Sequence, residues 1–214
     1  MDIDSLLQVF GKKGGGKRAL KGTPAGALLT AAYGLPYAQW VAEGKGFGVI
    51  EATATAAVAA LPTTTSGIIL QNGETDTGKW YVVHSVFAEC EASGAVVETA
   101  HIAGVVGMNR VAAATRDLAL TSVKPLLGGY GPYDGLAIVD LAGSVIDDLW
   151  RPLGPHVSNA VASNGEFSIH YVLDGLIVLK PQAQLGLELL ATSTSVTGRL
   201  GAIWFEVDRD ELIG

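Results

Sequence analysis

The sequence is poor in cysteine, in charged side chains and in long apolar runs. Its 214 residues include a single cysteine, Cys90, which excludes an internal disulfide framework and favours synthesis in a reducing compartment. Only 16% of the residues are charged, although 49% are hydrophobic. The longest apolar stretch, residues 25–41, is interrupted by Gly34, Pro36 and Gln39. It therefore falls short of the roughly 18 apolar residues that a membrane-spanning helix needs, and we expect no membrane partner.

The first residues also lack the pattern of a secretory signal. Asp2 and Asp4 stand where such a signal carries positive charge, and the apolar run at residues 6–10 is too short. The chain is nevertheless long enough to bury a substantial core in one domain. We therefore expect one folded body without a signal peptide.

Charge is unevenly distributed between the first 22 residues and the rest. Residues 1–22 hold five basic side chains spaced by glycines, against two acidic ones. The basic residues are Lys12, Lys13, Lys17, Arg18 and Lys21. From residue 23 onward nine basic residues face nineteen acidic ones, a net charge of −10. This pattern predicts a basic N-terminal arm on an acidic body.

Three interpretations of this arm remain open. It is a solvated, disordered segment, a weak and non-specific nucleic-acid contact, or an assembly arm that binds the acidic body of another copy. Five cations make at most about five phosphate contacts, so nucleic-acid binding through the arm would be weak and salt-sensitive. A glycine-rich peptide buries too little surface to offset its chain entropy, so an ordered arm requires a neighbouring surface. The arm is therefore at least as suited to contacts between copies as to nucleic acid.

Beyond residue 47, short runs with strand-like patterning recur between turn residues. They lie at residues 48–60, 67–71, 79–89, 95–106, 136–141, 167–173, 175–179, 185–191 and 200–207. The run at residues 79–89 is apolar on both alternating faces, as in a central strand of a packed sandwich. The pattern predicts an all-β fold, a jelly-roll-like β-sandwich with an extended N-terminal arm and minor helix. We place the arm and connector at residues 1–47 and the sandwich domain at 48–214.

Catalytic and metal-binding motifs are incomplete. Residues 11–17 (GKKGGGK) match the start of a phosphate-binding P-loop, but Arg18 replaces the hydroxyl residue that holds magnesium. Asp140 ends an apolar run, as does the residue that supplies a second magnesium ligand in nucleotide-binding proteins. The sequence lacks, however, the alternating strands and helices that a nucleotide-binding sheet needs. Carboxylates flank Cys90 and disfavour its thiolate, and the four histidines lack metal-ligand spacing. We therefore expect no enzyme activity, no cofactor and no metal.

Two further segments are unusual in composition. Residues 128–135 (GGYGPYDG) place Tyr130 and Tyr133 among glycines and a proline. This loop is either a flexible aromatic tip that contacts a partner or glycan, or a tight turn whose tyrosines cap the end of the sandwich. The acidic residues 208–211 are either a solvated segment or a contact for a neighbour's basic arm.

Three segments carry a family resemblance. Residues 72–87 (NGETDTGKWYVVHSVF) resemble the opening of phage and viral structural proteins, in which a polar turn with Gly-Lys leads into a long apolar strand. Residues 174–185 (DGLIVLKPQAQL) and 201–207 (GAIWFEV) are similar to the closing strands of the same proteins. The resemblance covers residues 66–207 and brings no catalytic residues. It implies a virion component of jelly-roll type that packs beside copies of itself, with an N-terminal arm like those that cross between capsid subunits.

Two functions follow as hypotheses. The first is a non-enzymatic capsid or capsid-associated shell subunit, made in the host cytoplasm and located in the virion. Its partners would be copies of itself, as a trimer or a larger shell, and other virion proteins. The second is a receptor- or glycan-binding fibre or spike head, with Tyr130 and Tyr133 on its contact surface.

Overall fold

The structure is a computed structural model, and it describes residues 36–63, 65–92, 98–108, 123–129, 131–141, 149–158 and 167–213. Its helices are α1 (Pro36–Ala42) and α2 (Arg209–Ile213). Its strands are β1 (Gly46–Ile50), β2 (Thr55–Ala56), β3 (Ile68–Asn72), β4 (Trp80–Ala92), β5 (Thr99–Met108), β6 (Lys124–Pro125), β7 (Ala137–Leu141), β8 (Arg151–Ser158), β9 (Phe167–Leu179), β10 (Ala183–Ala191) and β11 (Thr197–Val207). The N-terminal arm lies outside the described residues.

The strands form two antiparallel sheets that pack face to face. In the described ranges, sheet 1 has the order β6-β1-β11-β4-β9, with β2 added beside β11, and sheet 2 has the order β7-β3-β10-β5-β8. Both sheets contribute to one hydrophobic core, which includes Trp204 and Tyr81 from sheet 1 and Leu185 and Leu187 from sheet 2. The predicted all-β sandwich with minor helix is confirmed.

Strand β4 follows the expected alternation only in part. Simple alternation predicts that residues 80, 82, 84, 86 and 88 share one face. The core instead takes Tyr81 and Val83 from the first half of β4, and Val86 and Ala88 from the second. A β-bulge between Val83 and Ser85 shifts the register against β9 and exchanges the two faces. The prediction of one continuous face was therefore wrong beyond the bulge.

Other elements differ from the sequence prediction in extent. Residues 167–173 and 175–179 form one strand, β9, which bends where Asp174 (φ 52°) and Gly175 (φ 82°) have left-handed backbone conformations. Strand β8 was not predicted, because its two prolines suggested a loop. The sandwich begins at Gly46, which pairs with Phe205 of β11.

The two sheets approach closely where β8 faces β9. Gly154 of β8 has φ 85°, and a Cβ atom at that position would lie 2.9 Å from the Cβ atom of Tyr171 in β9. Glycine is needed here both for its left-handed conformation and for this close approach. As a result β8 and β9, the outermost strands of their sheets, lie on the same side of the sandwich.

Helix α1 covers part of the outer face of sheet 1. Tyr37 stacks on Phe205 with ring centroids 5.2 Å apart, and Trp40 lies 5.5 Å from the same ring. His84 contacts Tyr37 edge-on at 4.8 Å. The helix therefore belongs to the folded body. Neither helix of the described chain is long and apolar enough to cross a membrane.

We predict that Leu187→Ala lowers the free energy of unfolding by about 2–5 kcal/mol, because it leaves a cavity between the two sheets. Leu187 is 1% exposed. The matched control is Leu176→Ala at a side chain that is 80% exposed, and it should change stability by less than about 0.5 kcal/mol. Urea denaturation measures both variants. Equal effects would contradict the position of the core.

Candidate functional site

Most of the site residues expected from the sequence lie outside the described part of the chain. These are all five basic residues of the arm, the P-loop-like residues 11–18 and Tyr130. The assembly role of the arm therefore stays a prediction. Of the proposed contact loop, the described residues include Tyr133.

Tyr133 is buried and does not form the exposed contact tip that is one of the two interpretations of its loop. The residue is 5% exposed, and its ring packs edge-on against Phe47 at 4.9 Å. Its hydroxyl donates to Glu206 Oε1 at 2.6 Å and accepts from the backbone N–H of Ala137 at 2.7 Å. Because both hydrogen bonds point into the sandwich, Tyr133 caps its end, which was the alternative interpretation of this loop.

Glu206 is the buried carboxylate that Tyr133 contacts. Its Oε1 atom also accepts from Trp204 Nε1 at 3.2 Å, and Lys79 Nζ lies 3.9 Å from Oε2. Burial raises the pKa of Glu206, while the donors from Tyr133 and Trp204 act in the opposite direction. Burial, with the nearby Glu206 carboxylate, also raises the pKa of Tyr133. The cluster fixes loop 131–137 to β11, and it leaves the tyrosine hydroxyl with both hydrogen bonds internal.

The candidate nucleophile and the histidines do not form a catalytic arrangement within the described ranges. Cys90 is buried beside an open cleft, and burial raises its thiol pKa to about 11. His156 lies in β8, and its ring centroid is 4.1 Å from that of His101 in β5. Two imidazoles alone do not make a metal site, and the described residues contain no cluster of three or more His, Cys, Asp or Glu side chains that could hold a metal ion.

Two buried carboxylates sit where β3 begins. Glu188 Oε1 accepts from the backbone N–H of Leu189, and Glu51 Oε2 accepts from Leu200 N–H at 2.8 Å. Burial raises the pKa of Glu188 to about 7, although the backbone N–H groups of Leu189 and Gly67 counteract it and Glu51 adds repulsion. Burial raises the pKa of Glu51 as well. These groups pair with backbone donors, so their geometry is that of structural carboxylates.

The acidic C-terminal segment contacts its own chain. Glu211 in α2 accepts from Lys45 Nζ at 2.8 and 2.9 Å, and Lys45 also pairs with Glu43 at 2.7 Å. Glu211 therefore already has a basic partner within the same molecule. This observation weakens the interpretation that residues 208–211 bind a neighbour's arm.

An apolar surface lies on the outer face of sheet 1 beside α1. Three side chains of β9 point outward there, namely Val172 (46% exposed), Leu176 (80%) and Val178 (37%). Val178 pairs with Val82, which α1 helps to cover, so the surface continues the covered patch. Exposed apolar side chains grouped in this way are typical of interaction surfaces. The alternation of β9 does indicate its inward set, residues 167, 169, 171, 173, 177 and 179, but no local pattern shows that Val172, Leu176 and Val178 of the other set lie exposed together.

Comparisons with known proteins identify no relative. No family model, no curated protein and no solved structure matches this chain.

We predict that Tyr133→Phe lowers the free energy of unfolding by about 1–3 kcal/mol, because it leaves Glu206 without its shortest hydrogen bond. The control is Tyr171→Phe, at a side chain that is only partly buried, and it should cost less than about 0.5 kcal/mol. Thermal and urea unfolding give both values. A neutral Tyr133→Phe variant would show that the loop is not fixed by this cluster.

We predict that the protein becomes less stable as the pH rises from about 4.5 to 7. In this window the unfolded Glu188 is ionised while the folded one holds its proton, so folding is opposed by up to about 3 kcal/mol above pH 7. Glu188→Gln keeps the acceptor oxygen and should remove the part of this pH dependence that Glu188 contributes, while Glu51 and Glu206, whose pKa values burial also raises, keep theirs. Urea denaturation at a series of pH values measures it. The exposed control Glu89→Gln should keep the profile of the unchanged chain, and a flat profile for the unchanged chain would contradict the assignment.

Proposed function

We propose that this protein is a non-enzymatic virion structural protein, a capsid or capsid-associated shell subunit that assembles with copies of itself through the flanks of its sandwich. The observation that carries the proposal is the nested pairing of eight of its strands, namely β1, β3, β4, β5, β8, β9, β10 and β11. Within the described chain β1 pairs with β11, β3 with β10, β4 with β9 and β5 with β8. First thus pairs with last, second with seventh, third with sixth and fourth with fifth.

This nesting supports the jelly-roll expectation. An eight-stranded double Greek key pairs its strands in the same way, and it is the architecture of many viral capsid domains and of lectins. The three segments that resemble phage and viral structural proteins overlap β4 and the closing strands β9 to β11. The sequence resemblance and the strand pairing therefore favour the same class of protein.

The exposed apolar surface of β9 favours assembly over glycan binding. A shell subunit needs flanks that remain apolar until a neighbour covers them, and Val172, Leu176 and Val178 form such a flank. The fibre-head alternative depended on Tyr130 and Tyr133 as an aromatic contact tip. Since Tyr133 is engaged inside the sandwich, that alternative has lost one of its two named residues.

The proposal also includes the N-terminal arm as the element that extends contacts to the next copy. The arm is basic and the remainder of the chain carries a net charge of −10, so the attraction between copies is complementary. Many copies in a shell would multiply a weak contact of this kind. Electron microscopy of the purified full-length chain tests the proposal, with closed particles or regular oligomers as the expected result. Monomers at every salt, pH and concentration would refute it.

We predict that a variant without the positive charge of the arm folds normally but needs a protein concentration at least about tenfold higher to assemble. This variant carries glutamine in place of Lys12, Lys13, Lys17, Arg18 and Lys21. The matched control replaces the four lysines with arginine, which preserves charge and length. Light scattering across a concentration series measures assembly, and circular dichroism monitors the fold. Normal assembly of the glutamine variant would show that the arm is incidental.

A further inference from the structure

Two histidines from neighbouring strands of sheet 2 lie in contact. His101 in β5 and His156 in β8 have ring centroids 4.1 Å apart and ring planes inclined by 33°. His101 is partly buried and His156 is exposed. Because Ala100 and Ile102 belong to the core, His101 points to the outer face of the sheet, where His156 stacks on it. The two rings therefore form a side-chain contact between β5 and β8.

The contact lies at an irregularity in the pairing of these two strands. The register shifts at His101, so that residues 154–156 of β8 stand opposite this one residue of β5. Gly154, with φ 85°, begins the irregular stretch. A bulge of this kind interrupts the ladder of backbone hydrogen bonds and changes the direction of a side chain, here the ring of His156. The histidine stack therefore joins β5 and β8 where their backbone pairing is interrupted.

Strand β8 has few other contacts that hold it. It is an edge strand and pairs only with β5 in the described structure. Pro152 and Pro155 have no N–H groups to donate. Its inward side chain Leu153 packs on Gly104 of β5. Segments with few such contacts open locally before the rest of a protein does, so a small change in free energy at the stack decides whether β8 stays paired.

Protonation changes the interaction between the two rings from attraction to repulsion. A neutral imidazole stacks on a neutral or a charged one, whereas two charged rings at this distance repel each other. Burial, followed by the charge of His156, lowers the pKa of His101 below its ordinary value of 6.5. The two groups therefore titrate as a pair, and the pair takes its second proton only in acid.

Strand β10, which is the other neighbour of β5, brings no carboxylate to the stack. Leu190 pairs with His101. Glu188 is the acidic residue of β10, and its carboxyl accepts from the backbone N–H groups of Leu189 and Gly67. Since Gly67 directly precedes β3, on the far side of β10, the Glu188 carboxyl points away from β5.

The other elements next to the stack bring no acidic side chain to it within the described ranges. Glu98 precedes β5 and lies three residues from His101, so the alternation of the strand places it on the opposite face. The other charged residue of β8 is Arg151, whose positive charge adds to any repulsion. Strand β9 contacts β8 through Tyr171, which packs on Gly154. A second proton on the stack therefore meets no opposite charge from the described residues.

We infer that the stack of His101 and His156 is a pH-sensitive latch on β8. The strand stays paired with β5 while at most one of the two rings is charged, and it separates locally when both rings take a proton. Separation uncovers the edge of β5 and inward side chains such as Leu153, so that a protected edge becomes a template for another strand. The latch is independent of the proposed function, because it concerns the pairing of two strands within one molecule.

The direction of the pH effect follows from the titration of His101. In a free strand this group titrates near 6.5, and in the paired strand it does so at a lower pH. Between these two values the open form binds more protons, so acid favours opening; well above pH 6.5 His101 is neutral in both forms and has no effect on the latch. Glu188 acts in the opposite direction on the stability of the whole fold, but its contribution is common to all variants at position 156 and cancels between them.

Amide hydrogen exchange of the full-length chain, followed by mass spectrometry, tests the latch. After correction for intrinsic exchange rates, protection of residues 151–158 should fall at least about fivefold between about pH 7.5 and about pH 5. His156→Phe keeps a ring on His101 but cannot be protonated, so this variant should keep its protection at both pH values. The matched control is His170→Gln on β9, an exposed histidine whose ring lies 6.4 Å from that of Phe87, and it should lose protection in β8 like the unchanged chain.

Exchange of the imidazole C2 hydrogen gives a second measurement, because its pH dependence reports the pKa of each histidine. His156→Phe should raise the pKa of His101, because it removes the charge of the neighbouring ring. Full protection of β8 in acid in the unchanged chain, an equal loss in His156→Phe, or a pKa of His101 that does not rise in that variant would each overturn the inference. None of these outcomes affects the proposed function, which electron microscopy tests separately.

Discussion

The structure depends on the pairing of the last strand with the first. Strand β11 lies between β1 and β4, so residues separated by most of the chain form one continuous ladder. Trp204 in this strand is fully buried in the core, and its neighbour Phe205 contacts α1 on the opposite face. Once β11 is in place, Glu206 accepts hydrogen bonds from Tyr133 and Trp204, and the bond from Tyr133 fixes the loop at the end of the sandwich. The hydrophobic core, helix α1 and loop 131–137 therefore all depend on contacts with β11.

Nested pairing also determines which strands become edges. The first and last strands, β1 and β11, lie inside sheet 1, and β3 and β10 lie inside sheet 2. The edge strands of the described sheets are therefore β9 and β8 on one side, and β6 and β7 on the other. Three of these four described edges are short or contain proline, and β9 is neither. The same topology that builds the core thus leaves the apolar outer side chains Val172, Leu176 and Val178 of β9 at the surface. This exposed apolar face connects the fold to the proposal of self-assembly.

Several features were predictable from the sequence, and others were not. The alternating and apolar runs identified most strands, because each has strand-forming residues between turn residues. The bulge in β4 was hidden, because both of its alternating sets are largely apolar. Strand β8 was missed because its prolines, which are tolerated at an edge, suggested a loop. The burial of Tyr133 depends on Glu206, 73 residues away, and no local pattern reveals that contact. The arm and Tyr130 remain sequence-based predictions.

Hydrogen exchange measured by mass spectrometry on the full-length chain tests the account most directly. The central claim is that another copy covers the apolar outer face of β9 while β8 on the same side stays uncovered. Comparison of dilute and concentrated protein should show slower exchange of the β9 amides at high concentration and unchanged exchange in β8. Association without any change in β9, or with protection that appears in β8 instead, would contradict it.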